Sequence, residues 1–248
     1  MISITAVSYI NTLPFIYGIK HSSWLKPDEY LLHTIMPSLC AKAYIDSESD
    51  IVLMPSGTVN QYLHEQIIQG YCIGAVKTVK SVELFSEVPL EQITHLYMDY
   101  QSTTSVRLIK ILNRYLWKCP LQFIPSTKGY ESLIRGTTAG LVIGDRALSV
   151  YHQFPYVYDL AEEWRKLTQL PFVFAYWVKT HNVPADFLTR FQQALAWGVL
   201  HRTESLSLIN EQKNMELENY LNQNISFELA DDKIQALKLF YEYGKTME

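Results

Sequence analysis

Apolar positions fall into short runs that alternate with stretches of helical period along most of the chain. Ile2–Val7 reads as a strand that feeds the loop 8–14, and Tyr30–Ile35 reads as a second strand. Ser38 is placed to cap a helix running to about Asp46, with Leu39, Ala43 and Tyr44 near one face. Residues 51–54 read as a short buried strand, and Ser56, after Pro55, can cap the next helix. Further strands are expected at 71–76 and 82–85. A strand at 96–98 runs through a turn into a helix from about Thr104 to Trp117, where Val106, Ile109, Leu112 and Leu116 recur at helical spacing. Strands at 122–124, 141–143 and 172–178, with a helix at 160–167, complete this half. From Pro184 onward the pattern is almost wholly helical. Phe187, Phe191, Leu195 and Val199 mark one face, and segments 206–221 and 231–243 follow.

Strands alternating with helices predict an α/β fold with mostly parallel strands. The order suggests two lobes, one of them discontinuous: residues 1–88 with 178–248, and an inserted lobe of 89–177. The chain would cross near 82–90 and return near 172–178. Two crossings make a hinge, and a ligand then sits in the cleft where both lobes present strand ends.

Composition narrows the classes. Hydrophobic residues make up 48% of the 248 and charged residues 19%, enough apolar content for a proper core. A formal net charge of -4 argues against a general nucleic-acid binder, which needs a basic face. The three cysteines, Cys40, Cys72 and Cys119, form no CxxC pair, so a reducing compartment fits better than a disulfide framework. The N-terminus has no basic region followed by a long apolar one, and no apolar run approaches the ~20 residues that span a bilayer. The expectation is a cytoplasmic protein with neither a membrane nor a nucleic acid as partner.

The strongest local chemistry is Ser102-Thr103-Thr104-Ser105, between a strand and an amphipathic helix. Hydroxyls and unpaired N–H groups at a helix start suit a carboxylate, helped by the helix dipole. An ordinary N-cap needs only one such residue. Ser56 and Gly57 begin another helix and either bind a second carboxylate or simply cap. In Asp145-Arg146, arginine can grip a carboxylate with two bonds, while adjacent Asp and Arg often form a structural ion pair. Asp145 reads as structural and as a hinge-closing group, Arg146 as a site residue. Tyr9, Phe174 and Tyr176 can pack on a planar ring or belong to the core. Asn11 on its own reads as a turn residue. His64-Glu65 lacks the second histidine of HExxH, and neither a Gly-rich phosphate loop nor a GxSxG elbow occurs. No metal and no cofactor is expected.

Several blocks then acquire meaning in order. Val7-Ser8-Tyr9-Ile10-Asn11-Thr12-Leu13-Pro14 resembles the Tyr-Leu-Asn-x-x-Pro signature of the chorismate dehydratases of the futalosine route to menaquinone. Asp50 to Pro55, Ser81 to Ser86, Asp99 to Ser105, Ile143 to Ala147, and Tyr158 to Trp164 followed by Leu170 to Ala175 fit the same family in sequence. Gln169 departs from it, standing where Gly is expected before Leu-Pro-Phe, and Ile10 replaces Leu. The resemblance implies a two-lobed type II periplasmic-binding-protein-like fold used as a hydro-lyase on a small dicarboxylate, chorismate. It implies that Asn11 and Ser81 face the chemistry, and that Tyr9, Ser56, Gly57, Ser102, Thr103, Thr104, Ser105 and Arg146 surround the substrate. None of the matching motifs offers a histidine or paired carboxylates as base, which points to the enolpyruvyl carboxylate of the substrate itself. Two other readings stay open: a non-catalytic small-carboxylate binder or sensor on the same fold, and the 1,4-dihydroxy-6-naphthoate synthase of the same pathway.

Overall fold

The computed structural model describes residues 1–58, 66–211 and 213–246. In the first lobe, β1 (Ile2–Val7), β2 (Tyr30–Ile35), β3 (Ile51–Pro55) and β4 (Ile67–Ala75) alternate with α1 (Leu13–His21) and α2 (Pro37–Ile45). The second holds β5 (Val82–Ser86), β6 (His95–Met98), α3 (Thr103–Leu112), β7 (Gln122–Pro125), β8 (Thr138–Ile143), α4 (Asp145–Val150), β9 (Tyr156–Asp159) and α5 (Leu160–Thr168). The chain then returns through β10 (Phe172–Lys179) to α6 (Ala185–Leu200), α7 (Met215–Asn219), β11 (Ser226–Leu229) and α8 (Asp231–Lys245).

The first sheet has the order β11-β4-β10-β3-β1-β2 and the second β7-β6-β8-β5-β9. Each is mixed. β1 pairs in parallel with β2 and β3, whereas β10 runs antiparallel to both its neighbours, β3 and β4. The second sheet repeats the arrangement, with β5 antiparallel to β8 and β9. Each strand that begins after a crossing is thus inserted inside the sheet it joins. This moves the expected lobe boundaries. Residues 82–86, expected in the first lobe, belong to the second sheet, and 172–177, expected in the second, belong to the first. Both strands are buried on both faces. A continuous apolar run predicts a strand but carries no mark of which sheet it joins.

Other departures are local. Met36, not Ser38, is the N-cap of α2, with Pro37 in its first turn. Leu39 points outward while Cys40 is buried with Ala43 and Tyr44. The helix expected to reach Trp117 ends as α-helix at Leu112, and a π-helical turn, Asn113–Trp117, carries it to left-handed Lys118. The C-terminal quarter is not wholly helical, because β11 pairs antiparallel with the edge of β4. The helix expected after Ser56 lies outside the described residues.

A single buried cluster runs from Ile4, Phe15 and Trp177 in the first lobe to Leu84, Leu108 and Leu141 in the second. A smaller one, around Phe85, Tyr130 and Val142, covers the other face of the second sheet. α8, expected in the first lobe, packs on β10 and on α3 and therefore touches both. Among the described residues no helix is long and apolar enough to cross a membrane.

Candidate functional site

The cleft between the sheets is lined from the first lobe by Val7, Tyr9, Asn11 and Pro55, at the ends of β1 and β3. From the crossing and the second lobe come Ser81, Ser102, Thr104, Ser105 and Gly144. Phe174 of β10 supplies an apolar wall. This is the strand-end position where open α/β sheets bind ligands. Among the described residues that line it there is no lysine, arginine, histidine or carboxylate. Its polarity comes from hydroxyls, one amide and the start of α3. No group of three or more His, Cys, Asp or Glu among the described residues is placed to hold a metal ion.

The loop after β1 is pinned to the second lobe at two points. The Tyr9 hydroxyl donates to Gln101 Oε1 at 2.6 Å, and the Ile10 amide donates to Asp145 Oδ1 at 3.1 Å. Burial raises the Tyr9 phenol above its ordinary range and Asp99 adds to this, so Tyr9 stays a donor. Its ring lies against Gly144, where an added Cβ would come within 2.7 Å of Tyr9 Cε1 and φ is +65°. Space and backbone both demand glycine there. Asn11 occupies a short 3₁₀ turn, and its Oδ1 accepts from the Thr12 hydroxyl at 3.2 Å.

Ser81 stands just before β5, 1% exposed. Its carbonyl accepts from Gly144 N at 2.8 Å, and its Oγ accepts from the Tyr220 hydroxyl at 2.8 Å. At the start of α3 the four hydroxyl residues divide. Ser102 is the N-cap and accepts from Ser105 N at 2.9 Å. Thr104 donates to the Phe174 carbonyl at 3.3 Å and accepts from Gly57 N at 2.8 Å. Thr103 faces solvent and is absent from the lining.

Three other expected site residues lie outside that lining. Ser56 is fully buried behind it, its Oγ without a partner among the described residues. Gly57 presents its N–H to Thr104, and the backbone of Thr103 and Thr104 fills the space a side chain would need. Arg146 is turned into the second lobe and is corrected from substrate grip to ion pair. It bonds Asp99 at 2.7 Å and Glu131, and donates to Gln101 Oε1 at 3.0 Å. Burial opposes its charge, and Asp99 and Glu131 outweigh that cost. Its connection to the cleft runs through Gln101 to Tyr9. Tyr176 belongs to the core, bonded to the Tyr241 hydroxyl at 3.1 Å. Tyr220 and Gln101 escape a reading of the sequence, for Tyr220 is 139 positions from Ser81 and belongs to no motif with it.

Comparisons with solved structures fit this geometry. A protein from Archaeoglobus fulgidus aligns with a TM-score of 0.73 at 12% identity, over 99% of this chain and 97% of its own. The alkanesulfonate-binding protein of Xanthomonas axonopodis pv. citri, bound to MOPS, aligns with a TM-score of 0.64 at 13% identity, over 98% and 92%. A Candida albicans protein described as having the generic periplasmic binding protein fold gives 0.61 at 10%, over 98% and 90%. The chain is therefore a two-lobed α/β protein of the periplasmic-binding-protein fold. Its sequence specifies the family further: the profile described as menaquinone biosynthesis matches residues 2–246, and the chain belongs to that family. The chorismate dehydratase of Thermus thermophilus is 28% identical over 204 residues, 71% of this chain and 72% of that relative.

Proposed function

We propose that the protein is a chorismate dehydratase, a hydro-lyase that converts chorismate to 3-[(1-carboxyvinyl)oxy]benzoate and water. The observation that carries this reading is the meeting of Asn11, Ser81 and the start of α3 on one cleft from distant parts of the chain. Family membership and the Thermus thermophilus relative support it.

In the reaction the C3–H bond breaks and its electron pair becomes a ring double bond. The C4–O bond breaks, and the hydroxyl leaves as water once it gains a proton. Aromatisation supplies the driving force, so the protein must mainly orient the diene acid and stabilise the departing oxygen. The Ser105 hydroxyl and the N-terminus of α3 hold one carboxylate, with the helix dipole aiding and Thr104 fixing that turn through Gly57 N and the Phe174 carbonyl. Asn11 and Ser81 meet the C4 hydroxyl as neutral donors. The described lining offers no imidazole or carboxylate as base. We assign that role to the enolpyruvyl carboxylate, which takes the C3 proton and passes it to the leaving hydroxyl.

The test is to incubate purified protein with chorismate and follow the loss of one water by mass spectrometry. Binding without product would favour a non-catalytic carboxylate binder. A chorismate analogue amidated at the enolpyruvyl carboxylate is expected to bind without reacting, and rapid turnover of it would return the base to the protein.

A further inference from the structure

Tyr220 lies in the π-helical turn Tyr220–Asn224, far along the chain from every residue of the cleft, yet it reaches Ser81. It is 3% exposed and Ser81 is 1% exposed. The phenol has one hydrogen, and it is committed to Ser81 Oγ at 2.8 Å. Asn11 lines the cleft beside this pair, its Oδ1 accepting from the Thr12 hydroxyl. Burial raises the phenol well above its ordinary range, so it remains protonated at any working pH. Donation therefore runs one way, from the Tyr220 hydroxyl to the Ser81 oxygen.

A serine hydroxyl has one hydrogen and two acceptor positions, and a free one rotates among partners. We infer that Tyr220 is a positioning residue which, by donating to Ser81 Oγ, turns the Ser81 hydrogen into the cleft and makes Ser81 an oriented donor. This rests on the dehydratase reading, in which that donor meets the departing C4 hydroxyl. Pre-oriented donors act at the moment charge develops and need no rearrangement.

Tyr220→Phe keeps the ring and removes only the hydroxyl. It is expected to lower kcat about tenfold to a hundredfold with KM changed less than about twofold, as when a bond used only in the transition state is lost. Ser81→Ala and the Ser81→Ala/Tyr220→Phe double variant should then have the same kcat, because Tyr220 acts only through Ser81. Tyr176→Phe, which removes an equally buried phenol hydroxyl outside the cleft, is the control and should leave kcat unchanged. A Tyr220→Phe enzyme with wild-type kcat overturns the inference and leaves the dehydratase reading intact, as do losses that multiply independently in the double variant. If the wild type does not turn over chorismate, the dehydratase reading fails, and the pairing is judged by chorismate affinity in the same proteins. Equal, non-multiplying losses of affinity uphold it, and unchanged affinity overturns it. Should Tyr220→Phe not fold, a fluorinated tyrosine at 220 keeps the shape and ionises at lower pH. The activity, or chorismate affinity if there is no turnover, then falls at alkaline pH where the wild type does not, and an unaltered profile overturns the pairing.

Discussion

Glu83 sits in β5 with no exposed surface, and neither carboxyl oxygen has a donor among the described residues. It lies opposite Asp159 of β9. Burial raises the Asp159 carboxyl above its ordinary value, and the backbone N–H groups of Val79, Lys80, Ala161 and Glu162 that donate to it act the other way, favouring its charged form. Burial, and then the Asp159 charge, push Glu83 well above the ordinary carboxyl value of 4.5. A neutral Glu83 can donate to Asp159, and the pair then has a bond instead of a repulsion. The folded state holds this proton to higher pH than the unfolded chain does. The stability it contributes is therefore full below 4.5 and is lost as pH rises toward the folded value. Glu83→Gln keeps a donor for Asp159 and removes the titration, so its melting temperature should decline less than that of the wild type from about pH 5 to 8. Parallel curves for the two proteins would show that the proton is not held there. Nothing around Glu83 in the sequence signals this, since its partner is set by strand register. Asn11 and Ser81 are legible because their motifs are local. The direction of Arg146 is not, because adjacency to Asp145 does not say which side of the strand end each side chain takes. Gln169 takes a left-handed conformation, φ 62°, as the residue closing α5. A conformation that glycine adopts most readily explains why the family resemblance leads one to expect glycine at that point.

α3 combines two tasks in its first turn, and variants separate them. Ser102 caps the helix through Ser105 N, whereas Thr104 bridges to Gly57 N and to the β10 carbonyl. Ser102→Ala removes a cap and should cost about 1 kcal/mol of stability, read as a lower melting temperature. Thr104→Val keeps the shape but strands the Gly57 N–H and removes a hydroxyl from the cleft. It should raise KM for chorismate about tenfold, in keeping with the ~1–3 kcal/mol cost of a stranded buried group. If Ser102→Ala changes KM and Thr104→Val does not, the grip has been assigned to the wrong residue. At this scale the sequence is a good guide to existence and a poor one to membership. β1, β2, β3 and α5 fall where their patterns predict them. β9 and β11 are four-residue strands without a distinguishing apolar run, and β11 is embedded among helical segments. Only pairing with β5 and β4 makes them strands.

Across the whole molecule the polar contacts between the lobes at the cleft include Tyr9 to Gln101, Ile10 to Asp145, Gly57 to Thr104, Thr104 to the Phe174 carbonyl, and Ser38 N to the Gln101 carbonyl at 3.2 Å. Each is a bond that water can replace, so parting the lobes at the cleft costs little per contact. Two short crossings join them, and each contains a left-handed residue, Lys80 at φ 60° and Gln169 at φ 62°. On the α8 side the lobes are held by aromatic packing instead, with Phe240 and Tyr243 against Trp164 of α5 and Tyr243 stacked on Tyr115. This favours rotation about the α8 side over separation. The cleft cavity measures about 50 Å³, well below the ~150 Å³ of a cavity that admits benzene. On the dehydratase reading, entry of a ring-bearing dicarboxylate is therefore expected to need the lobes to part. Small-angle scattering is expected to give a larger radius of gyration for the free protein than for the protein saturated with chorismate. Tyr9→Phe, which loses the Gln101 bond, should require more chorismate to reach the compact value. Identical radii with and without chorismate would remove lobe rotation as the entry route. A Tyr9→Phe protein that compacts at the wild-type concentration would remove the Tyr9–Gln101 bond from the closing energetics, while leaving the loop's second tie, Ile10 to Asp145, to carry it.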